Sequence, residues 1–410
     1  MKQYDSYKNS GVQWIGKIPS HWEVAAFKRI ITINNGRDYK EFLDDEIYPV
    51  MGSGGCFAYC SKYLYDGEAV LLGRKGTIDK PLYIKGKFWA VDTMFYAVPK
   101  KGLNCRFAYY LALTFPFNYY STATALPSMT QTDLGNNPVA FPPLFEQQAI
   151  ATYLDKKCAE IDKAIATQQK RIELLQELQQ NIITHAVTRG INPDATLKDS
   201  GVEWIGMVPE QWEIRRLKTL CNGIRNGYVG PTRDLYVDDG IPYIQSVHIK
   251  DGKIMFEREE YFVSEEWANK HPKIRKGNIV VVQTGDIGQI ALVDEKYDNC
   301  NCHALIILVV NNGIISSKYL SFYLRSRIGK ELMLLTKTGA LLPHLNSTQI
   351  GDTIVTFPPI IEQQKIVSYI ESETSKLDKQ VVKANRQISL LQELKQSIIT
   401  EVVTGKRKVC

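Results

Sequence analysis

The longest regular pattern in the chain is a spaced series of apolar residues at Leu154, Cys158, Ile161, Ile165, Ile172, Leu175, Ile182 and Ala186. Steps of three, four and seven keep such residues on one stripe of a helix. No Gly or Pro falls between Phe145 and Arg189, so the spacing predicts one helix roughly 65 Å long. The stripe returns at Ile370, Leu377, Val381, Ala384, Ile388, Leu391, Ile398 and Val402, and Gln168, Gln179, Thr374 and Lys395 interrupt it. Neither helix can bury its own stripe. The two are therefore expected to pair as an antiparallel coiled coil. The polar segment 191–199, with Pro193 just past Gly190, acts as the linker that lets the chain turn back.

Ahead of each helix the pattern changes to short β-type runs with turn signals. Strands are expected at 69–72 and 88–91, and again at 278–282, 290–293 and 305–310. Tight turns are expected at 52–55 and 73–76, and short helices at 106–114 and 318–325.

The two halves are copies. FPPLFEQQ at 141–148 returns as FPPIIEQQ at 357–364, and LLQEL at 174–178 returns at 390–394, an offset of 216 (357 − 141). SGVQWIG at 10–16 returns as SGVEWIG at 200–206, with Pro19 and Trp22 returning as Pro209 and Trp212, an offset of 190 (200 − 10). The second middle is thus 26 residues longer (216 − 190). Aligning Gly76-Thr77-Ile78 with Gly285-Asp286-Ile287 gives 209, which places most of the extra material within 225–276. Leu126-Pro127-Ser128-Met129 aligns with Leu342-Pro343-His344-Leu345 at 216. The expected fold is α+β with an internal pseudo-two-fold repeat. Residues 1–140 are expected to form a first β-rich domain, 141–190 the first long helix and 191–199 the linker. Residues 200–356 are expected to form the second such domain, and 357–410 the second long helix with a basic tail.

Composition adds little constraint. The net charge of +6 permits a nucleic-acid partner without requiring one. No run of 18 apolar residues suggests a membrane span, and a cytoplasmic location is expected. Neither close cysteine pair, Cys56/Cys60 or Cys300/Cys302, has a second pair at zinc-site spacing, and no metal site is expected. His303 beside Cys302 reads as structural. No phosphate-binding loop, G-x-S-x-G elbow or amino-methylation tetrapeptide is present, so no catalytic residue is assigned. Side chains suited to base edges or phosphates lie in loop-like stretches. In the first half these are Arg37, Lys40, Arg74, Lys75 and Lys80. In the second they are Arg225, Arg233, Gln245, His248, Lys250, Gln283, Thr284 and Gln289.

The duplicated S-G-V-x-W-I-G-x-x-P-x-x-W segment and the F-P-P-x-x-E-Q-Q start of a long helix, in the same order twice, resemble the specificity subunit of type I restriction–modification systems. The resemblance spans nearly the whole chain. It implies a non-catalytic reader of double-stranded DNA whose two target-recognition domains each take one part of an interrupted target. The paired helices would act as spacer and dock two methyltransferase subunits, with endonuclease/translocase subunits joining them. S-adenosylmethionine, ATP and magnesium would belong to those partners and no cofactor to this chain. Many relatives carry Gln before the Pro of the pre-helix loop; Leu126 and Leu342 stand there in this chain. The rival readings are a single-chain DNA-modifying enzyme and a helical scaffold without DNA affinity.

Overall fold

The computed structural model describes residues 3–43, 47–117, 127–336 and 344–409. Leu126 and Leu342 lie outside them. Packing divides the chain into two compact units: residues 1–169 with 385–410, and residues 170–384. This differs from the division expected along the chain. Each unit holds one recognition domain, the start of the helix that follows it, and the end of the other half's helix. The physical cause is the apolar stripe, which only a second helix can cover.

Both units open in the same way. Strands β1 (Tyr7–Asn9) and β2 (Lys17–Pro19) form an antiparallel hairpin, followed by β3 (Glu23–Ala26). In the second unit β11 (Leu197–Asp199) pairs with β12 (Met207–Pro209), and β13 (Glu213–Arg216) follows. The expected linker therefore ends in a strand at Leu197, because Lys198 pairs with Val208.

The first recognition domain is one six-stranded sheet. It comprises β4 (Ile31–Asn35), β5 (Tyr48–Gly52), β6 (Gly55–Cys60), β7 (Tyr65–Gly73), β8 (Leu82–Ala90) and β9 (Met94–Pro99), in the order β4-β9-β7-β8-β5-β6. Helices α1 (Cys105–Ala112) and α2 (Gln131–Asn136) follow, and β10 (Pro138–Phe141) returns to pair with β3. The second domain keeps the centre of this plan and splits its edge. β14 (Cys221–Asn226), β20 (Ile279–Val282), β21 (Ile290–Leu292) and β23 (Leu305–Val310) form one sheet, in the order β14-β23-β20-β21. β15 (Tyr236–Val237), β16 (Ile241–Ile244), β19 (Phe262–Val263) and β22 (Asn301–Cys302) form another. β17 (Ile249–Lys250) and β18 (Lys253–Ile254) make a separate hairpin. Most of the longer middle is spent on this second sheet and hairpin. Helices α3 (Ser317–Arg325) and α4 (Arg327–Leu334) and strand β24 (Ile354–Phe357), which pairs with β13, close the domain.

The long helices are α5 (Leu144–Arg189) and α6 (Ile360–Val403). In the first unit Leu154 and Ile161 of α5 share one core with Ile398, Ile399 and Val402 of α6, and Ile165 and Leu391 pack against it. In the second unit Ile183, Ala186 and Val187 of α5 share a core with Ile366, Val367 and Ile370 of α6. Leu377 and Ala384 are buried there, and Ile172, Leu175, Ile182 and Val381 are half-buried. Ile388 is half-buried in the first unit. In the second unit Arg171 donates to Gln380 (3.2 Å) and Gln179 to Asp378 (3.1 Å). The partner number falls as the first number rises, so the helices run antiparallel. Two of the four polar interruptions, Gln179 and Lys395, thus have partners across the seam. Lys395 donates to both oxygens of Asp162 at 2.7 Å in the first unit. That pair sits 216 residues from Asp378 and Gln179. Polar pairs at matching seam positions fix register, because a slipped pairing would leave them against apolar neighbours.

The repeated E-Q-Q explains how domain and helix are joined. Trp22 and Trp212 are buried, and their indole N–H groups donate to Glu146 (3.2 Å) and Glu362 (3.1 Å). His21 and Gln211 donate to the second carboxylate oxygen of each, at 2.8 and 3.1 Å. The Tyr4 hydroxyl also donates to Glu146. Gln147 accepts from the Asn104 N–H (2.8 Å) and donates to the Gly102 carbonyl, tying α5 to the start of α1. Gln363 accepts from Ser316 (2.7 Å) and donates to Ile314 in the same way. The third motif residue, Gln148, is exposed. A second tie repeats as an ion pair from domain helix to long helix: Arg106–Asp155 at 2.6 Å and Lys318–Glu371 at 2.8 Å.

Glu146→Ala should therefore destabilise the first unit by about 1–3 kcal/mol for each buried donor it orphans, read as a lower urea midpoint. Gln148→Ala should leave the midpoint within about 0.5 kcal/mol of wild type.

Candidate nucleic-acid interface

Four backbone hydrogen bonds recur in the two recognition domains and define one frame. Gly36 N–H donates to the Met94 carbonyl and Gly227 N–H to Leu305 (2.9 and 2.8 Å). Arg37 N–H donates to Ala90, and Tyr228 N–H to Cys302, both at 2.9 Å. Val91 N–H donates to Met51 (3.2 Å), and His303 N–H to Ile244 (2.8 Å). Met129 N–H donates to Arg74, and Leu345 N–H to Gln283 (2.9 and 3.0 Å). The last pair fits the sequence alignments at offsets of 209 and 216. All four lie at one end of the central strands, where β7 and β20 finish and where the turns into β9 and β23 begin.

The glycines are required by closeness. A Cβ at position 36 would lie 2.0 Å from the Val91 carbonyl oxygen, and one at 227 would lie 2.5 Å from that of Cys302. The next residue is consequently held on a fixed backbone while its side chain is free to differ: Arg37 in one domain, Tyr228 in the other.

In the first domain this end of the sheet gathers Arg37, Arg74 and Lys75. Arg37 is exposed and hangs on Ala90. Arg74 donates from its backbone to Thr93 (2.9 Å) and from its guanidinium to the Asp92 carbonyl (3.4 Å), 5.9 Å above the Phe95 ring. Lys75 is exposed. Lys40 lies in a 3-10 turn beyond this group. Lys80 lines a different feature, a cleft of about 670 Å³ shared with Arg106, Asp155, Asp162 and Lys395 beside the long helices.

In the second domain the same end gathers Gln245, Gln283 and Thr284. Gln245 follows Ile244 and donates to the Tyr236 hydroxyl (2.9 Å). Gln289 closes the adjoining turn, its carbonyl accepting from Val282 and its amide donating to Asp286 (3.1 Å). Arg225 lies on β14 and donates to the Lys273 carbonyl (3.1 Å). Arg233 and Lys250 are exposed elsewhere on the lobe. His248 is corrected: it is fully buried, its Nδ1 accepting from Gln245 N–H (2.9 Å) and its Nε2 directed at the Glu259 carbonyl. Burial pushes its pKa below the ordinary value, and it is no surface reader. The sequence reading passed over Tyr228. The repeated Asn-Gly before Arg37 and Tyr228, at 35–36 and 226–227, is the signal that marks it.

At equivalent positions, then, Arg37, Arg74 and Lys75 correspond to Tyr228, Gln283 and Thr284: three cations in one domain, three neutral hydrogen-bonding groups in the other. Among the described residues no cluster of three or more His, Cys, Asp or Glu side chains could hold a metal ion. Among the same residues no helix is long and apolar enough to cross a membrane.

A duplicated domain with one backbone frame and interchangeable polar side chains is the build of a modular recognition protein. The family model for the type I restriction modification DNA specificity domain matches residues 19–176 and 209–388, and the chain belongs to that family. It is 25% identical over 319 residues to the type I restriction enzyme EcoBI specificity subunit of Escherichia coli, covering 75% of this chain and 67% of that one. It is 22% identical to the MjaIX specificity subunit of Methanocaldococcus jannaschii, over 96% of this chain and 95% of that one. It also superimposes on a chain of a solved type I R-M system with a TM-score of 0.68 at 14% identity, covering 94% of this chain and 98% of that one. At that identity the likeness speaks for the fold.

Gly36→Ala and Gly227→Ala should each cost about 1–3 kcal/mol through overpacking, and each should lower the stability of its own domain. Full wild-type stability for both, measured by thermal unfolding, would show that the frame is not held this tightly.

Proposed function

We propose that the chain reads a two-part, interrupted, non-palindromic DNA target, one part per recognition domain. It presents that target to two methyltransferase subunits and to endonuclease/translocase subunits. The observation that carries this reading is the recurrent frame with its exchanged side chains: equal scaffolds place different chemistry at the same spot. Arg37, Arg74 and Lys75 suit guanine edges and phosphates, whereas Gln283 suits adenine. Two unlike readers in one chain call for two unlike target parts. As the family resemblance implies, α5 and α6 would act as the spacer, which leaves unread bases between the two target parts.

In this reading the chain itself is not catalytic. Methyl transfer from S-adenosylmethionine and ATP- and magnesium-dependent cleavage reside in the partners. The chain's contribution is to position DNA, which requires groups that bond base edges and phosphates.

The methylome of cells expressing the chain with its methyltransferase partner tests this. Exchanging residues 23–140 for those of a relative should change one part of the methylated motif and leave the other part and the spacing alone. Change in both parts, or in neither, would contradict modular reading. Arg74→Ala should relax one part only and cost about 1–3 kcal/mol if it reads a base. If it holds a phosphate, affinity should drop for all sequences alike and the salt slope should fall by about one.

A further inference from the structure

We infer that His303 is a specificity-determining residue of the second recognition domain, presented to the DNA as a neutral Nε2–H donor whose tautomer is set by the buried hydroxyl of Tyr243. The inference rests on the DNA-reading function proposed above and adds a named side chain to it.

His303 occupies the frame position of Val91. Each donates its backbone N–H to the strand paired in parallel beside it, Ile244 or Met51. Val91 is buried, whereas the His303 side chain is part-exposed. It stands beside Tyr228, with ring centroids 6.4 Å apart, and next to the Ile244–Gln245 turn. It thus belongs to the end of the sheet that gathers Gln245, Gln283 and Thr284.

The connection that carries His303 is short and conformationally costly. The first domain uses three residues, 91–93, between β8 and β9. The second uses only His303 and Ala304 between β22 and β23. Ala304 has φ of +49°, a left-handed conformation that a residue with a Cβ rarely adopts. Its N–H is held by the Tyr228 carbonyl at 2.8 Å. Strain of this kind persists only where surroundings impose it, and it concentrates at working sites. Here it fixes the residue immediately before it.

The hydrogen bond to Tyr243 sets the proton. Tyr243 is fully buried, and its hydroxyl lies 3.2 Å from His303 Nδ1. Burial raises the tyrosine pKa, so the hydroxyl keeps its proton. A buried hydroxyl with one hydrogen-bond partner among the described residues is satisfied by donating to it. Nδ1 is then the acceptor, and the ring proton sits on Nε2. Among the described residues nothing accepts from Nε2. Burial also lowers the pKa of His303 itself, so the ring is neutral near pH 7. A fixed neutral donor pairs with an acceptor on a base edge: N7 or O6 of guanine, N7 of adenine, or O4 of thymine. It cannot pair with the amino group of cytosine.

The test uses the full chain in complex with its methyltransferase partner, and 30-base-pair duplexes carrying the motif that the wild-type complex methylates. Each base pair of the second target part is replaced in turn, and Kd is read by fluorescence anisotropy. His303→Ala should reduce discrimination by roughly 3- to 10-fold at one base pair of that part, as expected for one neutral hydrogen bond, with the first part read as before. Tyr243→Phe should weaken discrimination at that same base pair, and nitrogen resonances of labelled histidine should show loss of the single Nε2–H tautomer. Should His303→Ala not fold, the wild-type complex still decides. Removing one acceptor at a time, as 7-deazapurine (no N7), 2-aminopurine (no O6) or 5-methyl-2-pyrimidinone (no O4), should weaken binding at one second-part base by about 5-fold or more. Unchanged discrimination in a folded His303→Ala, or no weakening by any acceptor removal, would overturn the assignment. A wild-type complex that methylates no defined motif would overturn the DNA-reading function as well.

Discussion

Neither long helix is stable alone in water with an apolar stripe along its length, and each unit solves this by borrowing. The start of α5 is covered by the end of α6 in one unit, and the end of α5 covers the start of α6 in the other. Area burial at roughly 25 cal/mol per Å² makes such a seam the largest favourable term available to either helix. The remaining ties then act as positioners. Glu146 and Glu362 hold the entry tryptophans, Gln147 and Gln363 hold the starts of α1 and α3, and the Asp162–Lys395 and Asp378–Gln179 pairs set register. Change the seam, and every one of these loses the surface it is fastened to.

This arrangement separates two demands that would otherwise conflict. Residues shared by the two halves are mostly buried and bonded to fixed partners, so substitution is costly there. Residues that differ sit on a backbone frame whose own hydrogen bonds do not involve their side chains. Arg37 and Tyr228 illustrate the point: one N–H bond and one preceding glycine serve either side chain. Reading chemistry can therefore change without disturbing the core, which is why recognition residues on loops over a rigid scaffold vary readily.

Much of the fold was legible because the chain states it twice. Two offsets mark the repeated entry segments, the helices and the longer second middle, whereas the hairpin pairing of the entry segments emerges only in the fold. The seam was read from its spacing, although Ile183 and Ile399 bury more deeply than Ile182 because a wide contact recruits a second row of side chains. The interrupting Gln179 and Lys395 gave no hint of their acidic partners, which lie about 200 residues away in sequence. The site was less legible. His248 has the composition of a surface reader, and only tertiary packing shows both ring nitrogens engaged inside. Lys80 sits four residues past the turn yet opens toward the long helices. His303 and Tyr228 acquire their place from non-local strand pairing, which spacing along the chain does not encode.

The central claim is that equivalent ends of two recognition sheets meet DNA while the seam and its ties do not. Hydrogen exchange of the chain–methyltransferase complex, with and without a duplex carrying the methylated motif, tests this directly. The account predicts added protection at 36–37, 74–76 and 90–93 in one domain and at 227–228, 283–285 and 303–304 in the other, with residues 144–189 and 360–403 unchanged. Protection confined to the long helices, with both sheet ends exchanging as in the free complex, would contradict it.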